Sequence, residues 1–224
     1  LPFEQHPLAD TEAKDFSNYN NTARVFGATF NRTSGINHTG VSQDVAVNIS
    51  GGLYSFDGSN DYIEVLNNDT LDALGDFSAD FWVTFNQFIN QTPLIARSSD
   101  TLNVNITNYG IRTGGNATGT SITDLEFFFD TGGDTHHVYS TSGSQLQTHT
   151  LYHVAVVKPY GQSPHIYFNG LLQNGTCVIG ACSSLLEENN ESVIIGRGFI
   201  DNRQKHFNGT LDEIRIYDVP LAQE

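Results

Sequence analysis

The sequence predicts an all-β fold in which many short strands form a sandwich or a barrel. Apolar and polar residues alternate with a period of two in several short stretches, turn residues recur about every ten residues, and helical periodicity is weak. The chain has 224 residues, including 21 glycines and 6 prolines. This length suffices for one large β domain with a full core, so we expect residues 1–224 to form a single domain.

The clearest predicted strand is the stretch DFSADFWVTF. Phe77, Phe81 and Phe85 lie on one face of it, whereas Trp82 lies on the opposite face with polar neighbours. The stretches LYHVAVVK, HIYFNG, SVIIGRG and GTLDEIRIYD are further predicted strands. Asn169-Gly170 at the end of HIYFNG predicts a tight hairpin turn.

Helical structure is expected in one place only. In the stretch NNDTLDALGD, Asp69 or Thr70 can cap one short helical turn that ends at Gly75. The rest of the chain lacks the apolar spacing of an amphipathic helix, which agrees with an all-β fold.

The charge of the chain excludes two classes of partner. Ten Lys and Arg against 25 Asp and Glu give a formal net charge of −15. Nucleic acid and anionic membrane surfaces both require basic faces, so neither is an expected partner. No apolar run approaches the ~18 residues of a membrane-spanning helix, so no membrane insertion is expected. The carboxylates are compatible with hard cations, calcium above all, or with solubility alone.

Acceptor sequons for N-linked glycans recur from one end of the chain to the other. The pattern Asn-x-Ser/Thr occurs eleven times, about three times as often as the composition predicts. This density predicts a secreted, heavily N-glycosylated protein outside the cell or at the cell surface; a chain merely rich in Asn and Thr is the alternative. The acceptor residues are Asn20, Asn31, Asn37, Asn48, Asn68, Asn90, Asn105, Asn116, Asn174, Asn190 and Asn208.

Two further observations agree with a secreted chain. The sequence starts without Met and retains no signal peptide, so we expect a processed part of a longer secreted protein. Cys177 and Cys182, in CVIGAC, can form a local disulfide in an oxidising compartment, with two free thiols as the alternative. A cysteine-based zinc site is not expected, because no other Cys is present.

Six separated stretches resemble laminin-G-like domains of the concanavalin A-like jelly-roll superfamily, in that family's order. They are DFSNYNNTARVFGATF, YSFDGSNDYIEV, DFSADFWVTF, LYHVAVV, IYFNG and IIGRG…FNGTLDEIRIYDVPLAQE. The resemblance implies a two-sheet antiparallel jelly-roll sandwich, which agrees with the alternation of the strands. The first strand is incomplete here, and the segment Asn105–Asp124 is interpreted as an insertion that contains the longest surface loop.

The same resemblance implies a structural calcium ion at the edge of the sandwich. Its ligands would be Asp57 of the Asp-Gly loop and Asp212 of the last strand, with Asp61 and Glu4 as weaker candidates. Alternation places Asp212 on the face of Ile214 and Ile216, where a buried carboxylate needs a cation or several donors. Calcium takes ~6 to 8 oxygens, so carbonyls and water would complete the set. Backbone N–H donors to Asp212 without a metal are the alternative.

Catalytic motifs are scarce. Glycoside hydrolases of this superfamily carry acids at i, i+2 and i+4 along one strand face. The nearest match is DLEFFFD, where Asp124, Glu126 and Asp130 share a face, but Phe128 replaces one of the three acids in either reading. No HExxH, Ser-His-Asp elbow, P-loop or dinucleotide fingerprint occurs. The sequence therefore predicts that the protein is not an enzyme.

Exposed aromatic side chains are candidates for stacking on sugars. Trp82, Tyr109 and Tyr160 are the three candidates, although core packing or loop cover is the favoured interpretation. His149 and His153, in HTLYHV, are expected to be ordinary surface histidines.

The predicted function is a non-catalytic extracellular module for adhesion or for recognition of glycans or proteins, as the resemblance implies. The alternative is a structural subunit that packs against copies of itself in an extracellular filament, sheath or surface layer, because the incomplete first strand leaves an edge that another chain could fill. A glycoside hydrolase is a distant third. The longest stretch without a sequon is Gly119–Gln173, and partner contacts are expected there.

Overall fold

The structure is a computed structural model of the chain. It describes residues 3–5, 11–31, 52–73, 75–98, 107–115, 118–131, 135–143, 146–200 and 203–222. Four of the predicted glycosylation sites, Asn37, Asn48, Asn105 and Asn116, lie outside the described residues.

Strands and one 3-10 helix make up the regular structure of these residues. The 3-10 helix spans Asp69–Leu71. In chain order the strands are β1 (Phe3–Gln5), β2 (Glu12–Asp15), β3 (Ala23–Phe26), β4 (Thr29–Asn31), β5 (Leu53–Asp57), β6 (Tyr62–Val65), β7 (Phe77–Phe85), β8 (Pro93–Ser98), β9 (Thr107–Thr113), β10 (Leu125–Thr131), β11 (Thr135–Thr141), β12 (Leu151–Lys158), β13 (His165–Phe168), β14 (Leu171–Leu172), β15 (Gly175–Ile179), β16 (Val193–Ile195), β17 (Arg197–Ile200), β18 (Arg203–His206) and β19 (Asn208–Tyr217).

Two large antiparallel sheets contain most of these strands. One sheet has the spatial order β1-β2-β3-β6-β16-β8-β9-β10-β11-β15, and the other has the order β14-β13-β12-β7-β19-β5-β4. The strands β17 and β18 form a separate hairpin. The prediction of a two-sheet antiparallel jelly-roll sandwich is confirmed. The first strand, β1, forms one edge of the ten-stranded sheet by pairing with β2.

The core lies between the inner faces of the two sheets. Phe77, Phe81 and Phe85 of β7 are completely buried, as the period of two predicts. The ring centroid of Phe77 lies 4.4 Å from that of Tyr109 and 5.4 Å from that of Phe127, both in the opposite sheet. Each such side chain contributes about 2–3 kcal/mol by leaving water, and contacts across the two layers hold the sheets in one alignment.

The first part of the segment predicted as a long surface loop, Asn108–Asp124, is a central strand. Thr107–Thr113 forms β9, which pairs with β8 on one side and β10 on the other. The loop prediction was wrong for this strand, because its polar residues are buried and paired, whereas the described residues 118–123 form exposed or half-buried turns. Asn108, for example, donates through Nδ2 to the carbonyl oxygen of Ala73 at 2.8 Å. Tyr109 is also buried, which removes it from the candidates for sugar stacking.

A bulge in β19 changes the predicted face of Asp212. The pairing of β19 with β7 shifts between Asp212 and Arg215, and Glu213 has a φ of 51°. Consequently Asp212 lies opposite Trp82 on the outer face of the seven-stranded sheet, while Ile214 points into the core. Its predicted burial is nevertheless correct, since Asp212 is 7% exposed.

Local turn chemistry follows the sequence closely. Asn169 and Gly170 have φ values of 50° and 77° and join β13 to β14, so the predicted hairpin is confirmed. The predicted helical turn exists, but Asn68 caps it: its Oδ1 accepts the N–H of Thr70 at 3.0 Å. Within the described residues, no helix has the length and apolar character needed to cross a membrane.

Candidate functional site

The outer face of the seven-stranded sheet carries a row of side chains fixed by strand register. Each residue lies opposite the next across neighbouring strands, from β14 through β13, β12 and β7 to β19. Directly opposed side chains lie ~5 Å apart on one face of an antiparallel pair, so the row forms a continuous strip. Its members are Leu172, Tyr167, Ala155, Asp80 and Arg215.

A hollow of about 320 Å³ opens in this strip. Ala155 contributes only a methyl group to it, whereas the residues on either side in the row carry larger side chains. Asp80, His153 and Tyr167 line the hollow beside Ala155. The hollow therefore exists because a small residue stands in the middle of the strip.

The last described residues of the chain form another wall of the hollow. The hydroxyl of Ser78 in β7 donates to the carbonyl oxygen of Val219 at 2.8 Å and accepts the N–H of Leu221 at 2.9 Å. These two bonds place Leu221 and Ala222 against the hollow. The wall is apolar and is held by a buried side chain of the sheet itself.

Asp80 is the charged group of the hollow. Arg215 Nη1 donates to Asp80 Oδ1 at 3.2 Å, and His153 Nε2 lies 3.4 Å from the same oxygen. Burial by itself would raise the pKa of Asp80. Hydrogen bonds from His153 and Tyr217 and the positive charge of Arg215 all lower it. Together they outweigh burial, so the pKa of Asp80 falls below its ordinary value. Asp80 is therefore an ionised hydrogen-bond acceptor at neutral pH.

Tyr217 is the matching donor. Burial raises its pKa to about 12, and the neighbouring Asp80 carboxylate acts in the same direction. The phenol therefore stays protonated and directs its O–H towards Asp80.

Aromatic side chains flank Asp80. Trp82 follows Asp80 by two residues in β7 and therefore lies on the same face. The centroid of its ring is 4.8 Å from that of His153. Tyr167 lies across the hollow on β13. All three rings are half-buried, so one part of each is packed and another faces solvent. The arrangement places aromatic surface and a fixed charge within the same small hollow.

Sequence reasoning identified this site only in part. It placed Trp82 on the outer face, which the structure confirms, and it selected the stretch containing His153 and Tyr167 as a place for contacts. It treated His153 as an ordinary surface histidine and gave no role to Asp80 or Arg215. Alternation along DFSADFWVTF does put Asp80 on the face of Trp82, and that signal could have identified it.

The residues predicted to bind calcium do not converge on one point. Asp57 lies opposite Asn208 in the pairing of β5 with β19, and Asp212 lies four residues further along β19. Four residues of a strand span roughly 13 Å, whereas calcium needs its ligand oxygens within ~2.6 Å. Among the described residues, no group of three or more His, Cys, Asp or Glu side chains could hold a metal ion. Asp57 and Asp212 are therefore too far apart to share one ion, and calcium binding itself stays a prediction.

Protein donors bind the oxygens of these carboxylates instead. Asp61 Oδ2 accepts the N–H of Asp57 at 2.9 Å, and Asp57 Oδ1 accepts the N–H of Ser59 at 2.7 Å. Asp212 Oδ1 accepts the N–H of Glu213 at 2.8 Å, within the bulge. Backbone donors to Asp212 are the alternative that the sequence left open.

The acid-rich stretch DLEFFFD lies on the other sheet, and Glu126 is its most buried acid. Glu126 Oε2 accepts from Arg112 Nε at 2.7 Å, while Oε1 accepts the hydroxyls of Thr118 at 2.5 Å and Thr120 at 2.8 Å. Both Glu126 and Arg112 are buried. Each oxygen of this carboxylate is therefore used inside the protein.

The two remaining acids of that stretch are also paired. Asp130 Oδ2 accepts the N–H of Thr107 at 2.7 Å, and its Oδ1 lies 2.6 Å from His136 Nδ1. Asp124 Oδ2 accepts the N–H of Ser121 at 3.0 Å. All three acids thus have protein partners that fix strands and turns.

The disulfide predicted between Cys177 and Cys182 is confirmed. The sulfur atoms are 2.05 Å apart and the Cα atoms 5.7 Å apart. The bond closes a short loop directly after β15, the last strand of the ten-stranded sheet.

Seven of the predicted glycosylation sites lie within the described residues. Asn20, Asn68, Asn174 and Asn190 are exposed, and Asn31, Asn90 and Asn208 are half-buried. Asn68 caps the 3-10 helix through Oδ1, whereas an N-linked glycan is attached at Nδ2. A glycan on Asn68 is therefore compatible with the cap. The strands β12 and β13, which line the hollow, lie between sequons in the stretch Gly119–Gln173.

Two antiparallel sheets packed face to face in this strand order define the class of the protein as a concanavalin A-like jelly roll. The chain belongs to the Laminin_G_3 family, described as the concanavalin A-like lectin/glucanases superfamily, whose model matches residues 57–224. No curated protein matches the chain.

Solved structures share the fold at low sequence identity. The ligand binding domain of botulinum neurotoxin serotype D, in complex with N-acetylneuraminic acid, is 14% identical with a TM-score of 0.66; the match covers 100% of this chain and 48% of that one. The binding domain of Paraclostridial Mosquitocidal Protein 1 is 14% identical with a TM-score of 0.66, and the match covers 99% and 49%. The chain thus spans about half the length of both domains.

A further similar structure is domain 4 of AbnA, a GH43 extracellular arabinanase from Geobacillus stearothermophilus, in complex with arabinotriose. It is 15% identical with a TM-score of 0.55, and the match covers 88% of this chain and 78% of that one. At these identities the likeness establishes the fold and nothing finer.

Proposed function

We propose that this domain is a non-catalytic module that binds glycans outside the cell through the hollow around Asp80. The observation that carries the proposal is the joint placement of an ionised carboxylate, Asp80, and two half-buried rings, His153 and Tyr167, around the small residue Ala155, with Trp82 packed beside His153.

This combination fits the chemistry of a sugar ring. A sugar presents hydroxyl donors at its rim and C–H groups on its faces, so it needs fixed acceptors beside flat apolar surface. Asp80 supplies an acceptor whose geometry is set by Arg215 and His153 before any ligand arrives. Tyr167 and Trp82 supply ring surface. Because Asp80 is already oriented, binding a hydroxyl there costs little reorganisation.

The comparisons support a binding role without defining its ligand. Two of the similar structures are complexes with sugars, one with N-acetylneuraminic acid and one with arabinotriose. Two are named as binding domains. The family description includes both lectins and glucanases, so the fold itself is compatible with binding or with hydrolysis.

The non-catalytic part of the proposal depends on the acids at the hollow. Glycoside hydrolysis requires two carboxyl groups across the bond, one of them a general acid with a raised pKa. Among the described residues that line the hollow, Asp80 is the one carboxylate, and its pKa is lowered. An acid of this kind accepts hydrogen bonds but is a poor proton donor at neutral pH. Binding is therefore the function that the hollow supports best.

An extracellular location agrees with the disulfide Cys177–Cys182 and with the density of sequons. Neither β12 nor β13 carries a sequon, so no N-linked glycan is attached to the two strands that line the hollow.

A glycan array tests the proposal when wild type is compared with two Tyr→Ala variants. Tyr167→Ala removes a ring from the hollow, and Tyr160→Ala removes a ring that is 60% exposed and does not line it. We expect wild type to bind a defined set of glycans, and Tyr167→Ala to weaken that binding about tenfold, since a sugar–aromatic contact is worth about 1–1.5 kcal/mol. Tyr160→Ala should bind normally. An array without hits would contradict the proposed function.

Self-association is the second candidate function, and one observation favours it. In β14, the edge strand of the seven-stranded sheet, Leu171 is 70% exposed and Leu172 is 53% exposed. An exposed apolar edge strand is a surface on which a second copy can add its own strand. A dilution series followed by light scattering would distinguish a self-assembling subunit from a monomeric binding module.

A further inference from the structure

The charges around the hollow define the class of glycan that it accepts, and this inference rests on the proposed glycan-binding function. We propose that the hollow selects uncharged glycans and discriminates against glycans that carry a carboxylate or a sulfate.

Carboxylates outnumber cations around the hollow. Asp80 and Glu213 contribute two carboxylates, and both bind the guanidinium of Arg215. Asp212 adds a third carboxylate in the neighbouring row, opposite Trp82. Among these described residues one cation, Arg215, stands against three carboxylates, and it is already hydrogen-bonded to two of them. An incoming anion would meet a net negative potential.

The lysine nearest in sequence to the hollow points away from it. Among the described residues that line the hollow there is neither lysine nor arginine. Lys158, the last residue of β12, is the lysine closest in sequence to the lining residue Val157. It is completely buried, its Nζ lies 5.6 Å from the ring centroid of Phe129, and it donates to the carbonyl oxygen of Pro159 at 3.3 Å. It therefore faces the core and cannot hold a ligand anion.

The histidine of the hollow does not change this balance. His153 Nε2 lies beside Asp80 Oδ1, so any positive charge on its ring is opposed directly by that carboxylate. Recognition of a carboxylate normally uses a free arginine fork or several unpaired N–H donors. Arg215 is the arginine bonded to Asp80, and its fork is divided between Asp80 and Glu213.

The hollow provides a hydrogen-bond acceptor and apolar surface. Asp80 accepts hydrogen bonds from hydroxyl groups, and the row continues from Ala155 over Tyr167 to Leu172 as ring and aliphatic surface. This surface suits the C–H faces of unsubstituted sugars, and it can accommodate more than one sugar unit along the row. The full chain, with a net charge of −15, adds long-range repulsion of anionic glycans. These features together describe a site for neutral oligosaccharides.

Matched pairs of glycans test the inference. We would measure binding of the purified full chain to arrayed neutral oligosaccharides and to the same oligosaccharides capped with sialic acid or sulfate. Like-charge repulsion across a partly solvated hollow predicts at least about tenfold weaker binding of each capped member. Capped members that bind as well as their neutral counterparts would overturn the inference and leave the proposed function intact. An absence of binding to every member would overturn both.

A variant pair separates charge from steric exclusion. Asp80→Asn removes the carboxylate and keeps the side-chain shape, and Glu188→Gln makes the same change of charge at an exposed residue that does not line the hollow. Asp80→Asn should weaken binding of neutral glycans and reduce the neutral-to-capped ratio towards one. Glu188→Gln should leave both unchanged. If Asp80→Asn keeps the full ratio, repulsion by Asp80 is not its cause and the inference fails.

Discussion

Ala155 lies directly opposite Asp80 in the pairing of β12 with β7, and this pairing creates the hollow. On the other side of β12, Tyr167 of β13 lies opposite the same alanine. A larger residue in the middle of the row would fill the space between the carboxylate and the ring. The site therefore depends on one small side chain that takes no part in the chemistry of binding.

Filling the hollow should weaken glycan binding at least tenfold without unfolding the protein. In Ala155→Leu the added atoms point away from the core, because Ala155 lies on the outer face and is half-buried. We expect at least a tenfold loss of affinity, since the ligand and the leucine would compete for the same space. The melting temperature should change by only a few degrees, as outer-face substitutions usually cost less than about 0.5–1 kcal/mol. Calorimetric titration and thermal unfolding check the two parts.

Ser55→Leu is the matched control for that experiment. Ser55 is half-buried on the outer face of the same sheet, in β5, and lies opposite Thr210 of β19. The substitution adds similar bulk beyond the hollow, so binding should be unchanged. Full affinity in Ala155→Leu would mean that glycans bind elsewhere.

Removal of the sequon at Asn174 should promote self-association. Asn174 is exposed and connects β14 to β15, each of which is an edge strand of its sheet. A glycan there would stand beside Leu171 and block a second chain from the edge. We expect Asn174→Gln, produced in a glycosylating host, to elute partly as dimers or larger species, and Asn174→Gln with Leu171→Lys to return to monomer. Light scattering coupled to gel filtration gives the masses.

Asn190→Gln is the control, because Asn190 is exposed but lies outside the strands. Mass spectrometry must first establish that Asn174 carries a glycan in the wild type. A monomeric Asn174→Gln protein at high concentration would refute the shielding role of this sequon.

The fold was largely predictable from the sequence, and its exceptions have a common cause. Regular alternation located β7, β12, β13 and the hairpin at Asn169-Gly170, because each strand buries one face. The method failed at β9, where polar residues such as Asn108 are buried and satisfied by distant backbone groups. It also failed for the face of Asp212, because a single bulged residue, Glu213, reverses the alternation that follows it.

The candidate site was less predictable, because it depends on register between strands that are distant in sequence. Asp80 and Ala155 are 75 positions apart, and nothing local in either stretch indicates that they pair. Trp82 and the sequon-free stretch pointed to the correct region. The contact between Asp80 and Arg215 also depends on the bulge in β19. The bulge shifts the register after Asp212, so that Arg215 lies opposite Asp80 on the outer face.

The stability of the fold should decrease as the pH falls below neutrality, and His137 is one cause. Its Nδ1 accepts the N–H of Ala181 at 2.8 Å, a bond that requires this nitrogen to be unprotonated. Burial lowers the pKa of His137 below its ordinary value of 6.5. The neighbours His136 and Lys158 lower it further, against an opposite effect from Asp130. The folded state therefore binds a proton less readily than the unfolded state.

The free energy of unfolding should accordingly be highest above pH ~6.5 and should fall as the pH drops from there towards the folded-state pKa of His137. One histidine contributes at most about 1.4 kcal/mol per pH unit. Urea denaturation at pH 7.5, 6.5 and 5.5 measures the slope. His137→Asn should flatten it, while His149→Asn, at an exposed site, should not. A remaining slope is expected from His206, whose pKa burial also lowers. An unchanged slope in His137→Asn would contradict the assignment.

The buried pair of Glu126 and Arg112 should be a point of high sensitivity in the ten-stranded sheet. Glu126→Gln keeps the shape of the side chain but leaves the charge of Arg112 unpaired and buried, at a cost of about 3 kcal/mol. Urea denaturation should show this loss, whereas Glu64→Gln, a half-buried acid on the same sheet, should cost less than about 1 kcal/mol. The double variant Glu126→Leu with Arg112→Met should recover most of the stability, since it removes both charges together. Glycan binding by the folded fraction should be unaffected, because the hollow lies on the other sheet. A loss of less than about 1 kcal/mol in Glu126→Gln would mean that Arg112 finds another partner or reaches solvent once the carboxylate is gone.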